Sequence, residues 1–116
     1  LAADTVAPDG MNEVLFADIP DSSAIAVTIV WYNRFSKSLL EWDQVYDDVT
    51  YDWSLAGAAG KMDFDNIATH ELGHSVGMTD LYNFCTEETM YGYATEGETK
   101  KRDLNAGDIA GINALY

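Results

Sequence analysis

The sequence of 116 residues contains one cysteine, Cys85, and only two histidines. A single cysteine cannot form a disulfide within the chain, and it cannot build a zinc site that needs several cysteine ligands. We therefore expect Cys85 to be a free or buried thiol, and the alternative is a pair with a cysteine outside this sequence. One cysteine does not indicate whether the protein works in an oxidising or a reducing compartment.

Basic residues are also scarce, with 6 Lys and Arg against 20 Asp and Glu, which gives a formal net charge of −14 at pH 7. Such a charge repels phosphate groups, so we expect neither nucleic acid nor an anionic membrane as a partner. Half of the basic residues form one run at residues 100–102. This run predicts an exposed loop.

Long apolar runs are missing as well. Although 47% of the residues are hydrophobic, no stretch approaches the length that is needed to cross a bilayer. The length of the chain predicts one domain over residues 1–116. Because the chain starts at Leu1 rather than at methionine, we expect that it was processed or cut from a longer protein.

Three segments in the first half of the chain predict β-strands. Residues 12–19 form a short apolar run, and residues 24–35 are rich in β-branched and aromatic side chains. In residues 39–48, bulky and acidic side chains alternate, which predicts a strand whose acidic face is wet. The short link between the second and third segments predicts an antiparallel hairpin. Residues 50–62 are predicted to be a loop.

Two segments in the second half predict α-helices, with a long ordered loop over residues 78–103 between them. The first helix is predicted to start after Asp63, because Asp63 or Asp65 can cap its first turn. It is predicted to end at Gly77, because glycine readily adopts the left-handed conformation that ends many helices. The last helix begins at Asn105, which is a good N-cap. Its apolar residues predict one buried stripe: Ile109, Ile112 and Leu115 or Tyr116.

Both histidines lie in the stretch ATHELGHSVGMTD, residues 68–80. His70 and His74 stand four residues apart, so they project from one helix face at a separation that lets two imidazoles share one tetrahedral Zn²⁺. Glu71 lies beside the first histidine, where its carboxylate can take a proton from a zinc-bound water and so serve as the catalytic base. A solvent-facing helix with ordinary salt bridges could carry the same three residues.

Two further residues favour the metal site over the solvent-facing helix. Gly77 follows His74 by three residues, where the helix must stop and the backbone must turn sharply. Asp80 follows after another three residues, positioned to bring a carboxylate oxygen back to the same ion, and zinc accepts such a ligand. The predicted metal ligands are therefore His70, His74 and Asp80.

The stretch HELGHSVGMTD resembles the H-E-x-x-H-x-x-G-x-x-H/D signature of the metzincin zinc metallopeptidases, in the form with a final aspartate that snapalysin-like enzymes use. In ETMYGY, Met90 is similar to the methionine of the tight turn beneath the zinc in that family, and Tyr91 completes the Met-Tyr pair of matrixins. The tail LNAGDIAGINALY resembles the closing helix of matrixins, and DQVYDDVTYDW is similar to the segment that leads toward the zinc helix. The resemblance covers about residues 12–116.

This resemblance implies an α+β fold with a mixed β-sheet, an active-site helix and a C-terminal helix. A matrixin domain normally has a long helix and one or two strands ahead of its middle strands. The residues before Asn12 leave no room for them, so we expect a catalytic domain that is shortened at its N-terminus; the alternative is an unusually small fold. Two positions depart from the family pattern: Asp80 replaces the commoner histidine, and Gly92 stands where matrixins usually place proline.

The resemblance also implies a secreted or extracellular zinc endopeptidase, which we expect to be a monomer. An extended protein or peptide substrate would add to residues 24–33 as a further strand, and Glu71 would activate the attacking water. One alternative is a non-catalytic zinc-binding or adhesion module of the same fold. Another is a thermolysin-type peptidase with a distant glutamate as third ligand, which Gly77, Asp80 and Met90 together disfavour.

A calcium site is a further open alternative. The pairs Asp47-Asp48 and Asp63-Asp65 offer the carboxylate oxygens that Ca²⁺ prefers. Helix capping and solvation would explain these two pairs equally well.

Overall fold

A computed structural model describes residues 6–116 of the chain, so the expectation about Leu1 falls outside the described part. The residues form two compact units, one that ends at Tyr51 and one that begins at Asp52. Together the units contain five β-strands and two α-helices within the described range. The fold is α+β, as predicted. Over residues 6–116, no helix is long and apolar enough to pass through a lipid bilayer.

The first unit is built on a three-stranded sheet of β1 (Glu13–Ala17), β2 (Ala26–Tyr32) and β3 (Leu39–Asp47). β3 lies in the centre, where it runs parallel to β1 and antiparallel to β2. The predicted hairpin between the second and third strands is confirmed. β1 and β2 are the two edges of this sheet.

The acidic face of β3 is buried, so the prediction that this face is wet was wrong. Asp43 and Asp47 are fully covered, and Glu41 is almost so. The physical reason is that each carboxylate accepts backbone N–H groups from neighbouring segments, which replaces the hydrogen bonds it would make with water. The donors are Ala7 and Glu13 for Asp43, Asp9 and Gly10 for Glu41, and Ile19, Val49 and Thr50 for Asp47.

The second unit combines a small parallel pair of strands with two helices. β4 (Trp53–Ser54) pairs with β5 (Met62–Asp63). The chain then forms α1 (Phe64–Ser75) and, after a long loop, α2 (Ala106–Leu115). Both helices are confirmed, whereas the predicted loop at residues 50–62 contains β4 and the first residue of β5.

Both ends of α1 follow the sequence prediction. At the start, the Asp63 side chain is the N-cap and accepts the backbone N–H of Asn66 at 2.9 Å. At the end, Gly77 follows the C-cap Val76 and has a φ of +104°, a conformation that a residue with a Cβ resists. The reversal of the chain that the site requires therefore happens at Gly77.

The basic run forms a 3₁₀-helix, Lys100–Arg102, rather than the predicted exposed loop. Lys101 is 1% exposed, and its ammonium group pairs with Glu98. Arg102 binds both carboxylate oxygens of Asp63, at 2.6 and 2.8 Å. The prediction was wrong because acceptors inside the fold bind these cations, and a sequence pattern does not show such distant partners.

α2 buries a carboxylate, that of Asp108, rather than the predicted apolar stripe. Ile109, Leu115 and Tyr116 are exposed, and Ile112 is partly covered. The buried residue of the helix is Asp108, which accepts the N–H of Asn105 at 2.9 Å. Asn105 is the N-cap, as predicted.

Candidate metal centre

α1 brings three potential ligand side chains to one point. The Nε2 atoms of His70 and His74 lie 3.1 Å apart, with the two rings almost perpendicular. The ligand atoms of these histidines and of Glu71 all lie within 4.8 Å of one another. His70 and Glu71 are buried, and His74 is partly covered. The spacing of four residues thus gives the expected shared helix face.

The other ring nitrogen of each histidine contacts a backbone carbonyl. His70 Nδ1 lies 2.7 Å from the carbonyl oxygen of Thr89, and His74 Nδ1 lies 2.9 Å from that of Met78. A carbonyl oxygen can only accept, so each Nδ1 carries the proton that it donates. In the neutral rings both Nε2 atoms then present lone pairs, the tautomer that a metal ligand needs.

Asp80 reaches the two histidines from the loop that follows α1. After the turn at Gly77, its Oδ1 atom lies 2.9 Å from His70 Nε2 and 3.2 Å from His74 Nε2. The structure therefore brings together the three residues that the sequence pointed to as ligands. Glu71, the predicted base, lies beside them and is 4% exposed.

The three converging atoms fit a zinc ion. Two histidine lone pairs and a carboxylate oxygen repel one another unless a cation, or a proton on one of the rings, lies between them. Ligand atoms about 2.0–2.1 Å from a tetrahedral Zn²⁺ stand roughly 3.3–3.4 Å apart. The separations of 2.9, 3.1 and 3.2 Å come close to this value. Imidazole nitrogen and carboxylate oxygen are also ordinary zinc ligands.

The second oxygen of Asp80 has a different neighbour. The hydroxyl of Tyr82 donates to Asp80 Oδ2 at 3.2 Å. The negative carboxylate beside the phenol raises the pKa of Tyr82 above its usual range, because it disfavours the phenolate. Tyr82 was not singled out in the sequence, although its position two residues after a predicted ligand was a usable signal.

A buried carboxylate supports the carbonyl that orients His70. Asp108 accepts the N–H groups of Thr89 at 2.8 Å and of Met90 at 3.1 Å. Burial raises the pKa of the Asp108 carboxyl, but the hydrogen bonds from Thr89, Asn105 and Met90 outweigh this effect and leave the pKa below its usual value. No sequence pattern linked residue 108 to the site, because the link depends on how the loop folds.

Met90 is buried against the helix that carries the histidines. It is 1% exposed, in agreement with the packing role that the resemblance implies. A Cβ added to Gly73 would lie 2.2 Å from the sulfur of Met90, far inside contact distance. The glycine between the two histidines therefore makes room for the methionine.

The acidic pairs that were candidates for calcium have other partners. Asp47 accepts three backbone N–H groups, and the bond from Thr50 contributes most to lowering its pKa. Asp63 caps α1 and pairs with Arg102, whose guanidinium is the main cause of the lowered pKa of Asp63. These contacts leave the calcium interpretation without support and favour capping.

No curated protein and no solved structure gave a significant match. The family model described as Matrixin matches residues 41–116, about two thirds of the chain. The matched segment contains the histidine helix, the loop with Asp80 and Met90, and the final helix. The chain therefore belongs to the matrixin family of peptidases.

Proposed function

We propose that this protein is a zinc-dependent endopeptidase in which His70, His74 and Asp80 hold the metal and Glu71 is the general base. The observation that carries the proposal is the convergence of the two Nε2 atoms and Asp80 Oδ1 within 3.2 Å of one another. Membership of the matrixin family supports zinc and peptide hydrolysis at the level of the family.

The choice of Asp80 over Glu71 as third ligand rests on distance and position. Asp80 Oδ1 is in close contact with both histidine nitrogens. The Glu71 carboxylate lies within 4.8 Å of them, which allows it to stand beside the ion rather than on it. Three protein ligands leave one zinc position open, as catalytic sites require.

Bound Zn²⁺ supplies Lewis-acid chemistry, since it polarises a carbonyl and lowers the pKa of a water molecule toward about 7. Glu71 takes the proton of the attacking water and gives it to the amine of the leaving peptide, so that the base of the first step is the acid of the second.

The substrate in this proposal is a protein or peptide in extended conformation. β2 lies at an edge of its sheet, with β3 on one side and no second strand partner in the described part of the chain. An edge strand can accept an added strand through its backbone N–H and C=O groups. We propose an extracellular location and a monomeric state as part of the same function.

The test measures zinc content and casein hydrolysis for the wild type and for Glu71→Gln. Glutamine has nearly the same size as glutamate but cannot take the proton, so we expect bound zinc to persist and the rate to fall by about 10²–10⁴-fold. Glu96→Gln removes the same charge from an exposed position of the same unit and should keep the wild-type rate.

Three outcomes decide between the interpretations. If both proteins bind zinc, the wild type hydrolyses casein and Glu71→Gln does not, the endopeptidase is supported. Zinc binding without hydrolysis of casein or of a peptide mixture supports the non-catalytic zinc module instead. Equal rates for the wild type and Glu71→Gln would remove Glu71 from the mechanism.

A further inference from the structure

Asp80 uses its two oxygens for different purposes. Oδ1 faces the histidine nitrogens at 2.9 and 3.2 Å, whereas Oδ2 accepts the hydrogen bond from the Tyr82 hydroxyl at 3.2 Å. A carboxylate bound to a metal through one oxygen commonly has its other oxygen held by a hydrogen bond from the protein. Tyr82 is the residue that supplies this bond.

The ring of Tyr82 is seated on Gly92. A Cβ at position 92 would lie 2.3 Å from Cε1 and 2.7 Å from Cζ of the ring, so only glycine leaves enough space. Two backbone hydrogen bonds fix this approach: Leu81 N–H donates to Met90 O, and Gly92 N–H donates to Leu81 O, both at 2.8 Å. Glycine at position 92 therefore allows the phenol to lie beside Asp80.

The position of the hydroxyl matters for the number of ligands on the metal. Carboxylates bind metal ions through one oxygen or through both. If both oxygens of Asp80 bound zinc, the second would compete for the position that a catalytic site keeps open for water. A donor on Oδ2 disfavours that geometry, because rotation of the carboxylate would break the hydrogen bond.

We propose that Tyr82, seated on Gly92, is a positioning residue that keeps Asp80 a one-oxygen metal ligand. The inference rests on the proposed function in one respect, the role of Asp80 as a ligand. It adds a residue pair, Tyr82 and Gly92, to the proposed ligand Asp80.

The first experiment uses Tyr82→Phe, which removes the hydroxyl and keeps the ring on Gly92. We expect zinc affinity, measured by competition with a chelator, to fall by about 10-fold. In the Co²⁺-substituted protein we expect weaker visible absorption, because a second carboxylate oxygen raises the coordination number above four. Tyr93→Phe makes the same change on the neighbouring ring, 5.3 Å away, and should alter neither quantity.

The second experiment repeats Tyr82→Phe in the Asp80→Ala background. If Tyr82 acts through Asp80, the substitution has no further effect on zinc affinity there. An equal loss in both backgrounds, or unchanged affinity and an unchanged Co²⁺ spectrum for folded Tyr82→Phe, would overturn the proposal. Gly92→Ala, which displaces the ring, should reproduce the effect of Tyr82→Phe.

The ligand role of Asp80 and the positioning role of Tyr82 can be tested separately. If Asp80→Ala leaves zinc affinity unchanged, the proposed ligand set is wrong and the role of Tyr82 falls with it. If Asp80→Ala weakens zinc binding and Tyr82→Phe alters neither zinc affinity nor the Co²⁺ spectrum, the ligand set stands and only the positioning role is refuted.

Discussion

Asp80 is the one proposed ligand that α1 does not carry. A helix can offer two ligands to one ion from neighbouring turns, as His70 and His74 do, so the third must come from a segment that doubles back. The loop after Gly77 provides it, and Oδ1 arrives within 3.2 Å of both histidine nitrogens. At the scale of single residues, the site therefore depends on Asp80, which lies in the loop after the helix that carries the two histidines.

Asp80→Ala should weaken zinc binding by at least about 10-fold, because it deletes a ligand, whereas Asp80→His should retain zinc. Competition with a chelator measures both. Asp65→Ala serves as the control, since it removes an exposed carboxylate from α1 itself. Unchanged zinc affinity in Asp80→Ala would mean that some other group completes the site.

Gly73→Ala tests the contact between the helix and Met90. With Met90 in place, the added Cβ meets its sulfur at 2.2 Å, and overpacking of this kind costs about 1–3 kcal/mol. In a Met90→Ala background the same substitution should stabilise by up to about 1 kcal/mol, since alanine is the better helix former. Urea unfolding measures both effects. If Gly73→Ala changes the free energy of unfolding in the same direction in both backgrounds, the contact between residue 73 and Met90 does not determine the effect.

At the scale of the elements, the end of α1 sets the direction of the loop that carries Asp80. Gly77 has a φ of +104°, and a Cβ there would meet only Leu115, at an ordinary 3.6 Å. The requirement for glycine is therefore conformational rather than steric. Gly60, in the loop between β4 and β5, has a φ of +77°, and an added Cβ there would meet no atom within 4 Å.

Gly77→Ala and Gly60→Ala should each lower the free energy of unfolding by about 1–2 kcal/mol, the cost of a left-handed residue with a Cβ. Only Gly77→Ala should also weaken zinc binding, since it disturbs the path to Asp80. Urea unfolding of the metal-free proteins and chelator competition measure the two effects. Equal zinc affinities for the two variants would contradict the role given to Gly77.

The elements that the sequence predicted are those with local signals. The hairpin of β2 and β3, the helix α1 and its cap at Asp63 depend on side chains within a few residues. The acidic face of β3 and the basic run at 100–102 are buried in part, contrary to the prediction that charged residues there face water. Whether a carboxylate or an ammonium is buried depends on partners that are distant in the sequence, such as Glu41 with Gly10.

In the candidate site, too, the residues with local sequence signals were predicted and those with distant partners were not. The spacing of His70, His74 and Asp80 was sufficient to predict which residues converge, since helix geometry and one glycine determine their directions. The residues that orient them could not be found by spacing. Thr89 and Asp108 reach the site only after the loop between α1 and α2 has folded.

At the scale of the whole molecule, the excess of acidic groups is partly internal. Asp47, Asp63 and Asp108 are each 1% exposed or less, and hydrogen bonds or an ion pair lower the pKa of all three. A lowered pKa in the folded state means that the charged form stabilises the fold. This stability is present above the unfolded pKa of about 3.9 and is lost as the pH falls through the folded values.

The metal-free protein should therefore lose thermal stability steeply below about pH 4, in the window set by these lowered pKa values. Asp63→Asn should be less stable than the wild type at neutral pH, and its melting temperature should fall less steeply on acidification. Melting curves across this pH range measure both slopes. A melting temperature that stays constant down to about pH 3 would show that the buried carboxylates do not stabilise the fold in their charged form.

The hydrogen bonds that orient His70 also impose an order on biosynthesis. The imidazole is oriented by the carbonyl of Thr89, and the N–H of Thr89 is held by Asp108. A ribosome delivers the chain from its N-terminus, so a nascent chain contains His70 before it contains Asp108, the carboxylate that holds Thr89. In the proposed zinc site, His70 is therefore fully oriented only after the last helix has been synthesised.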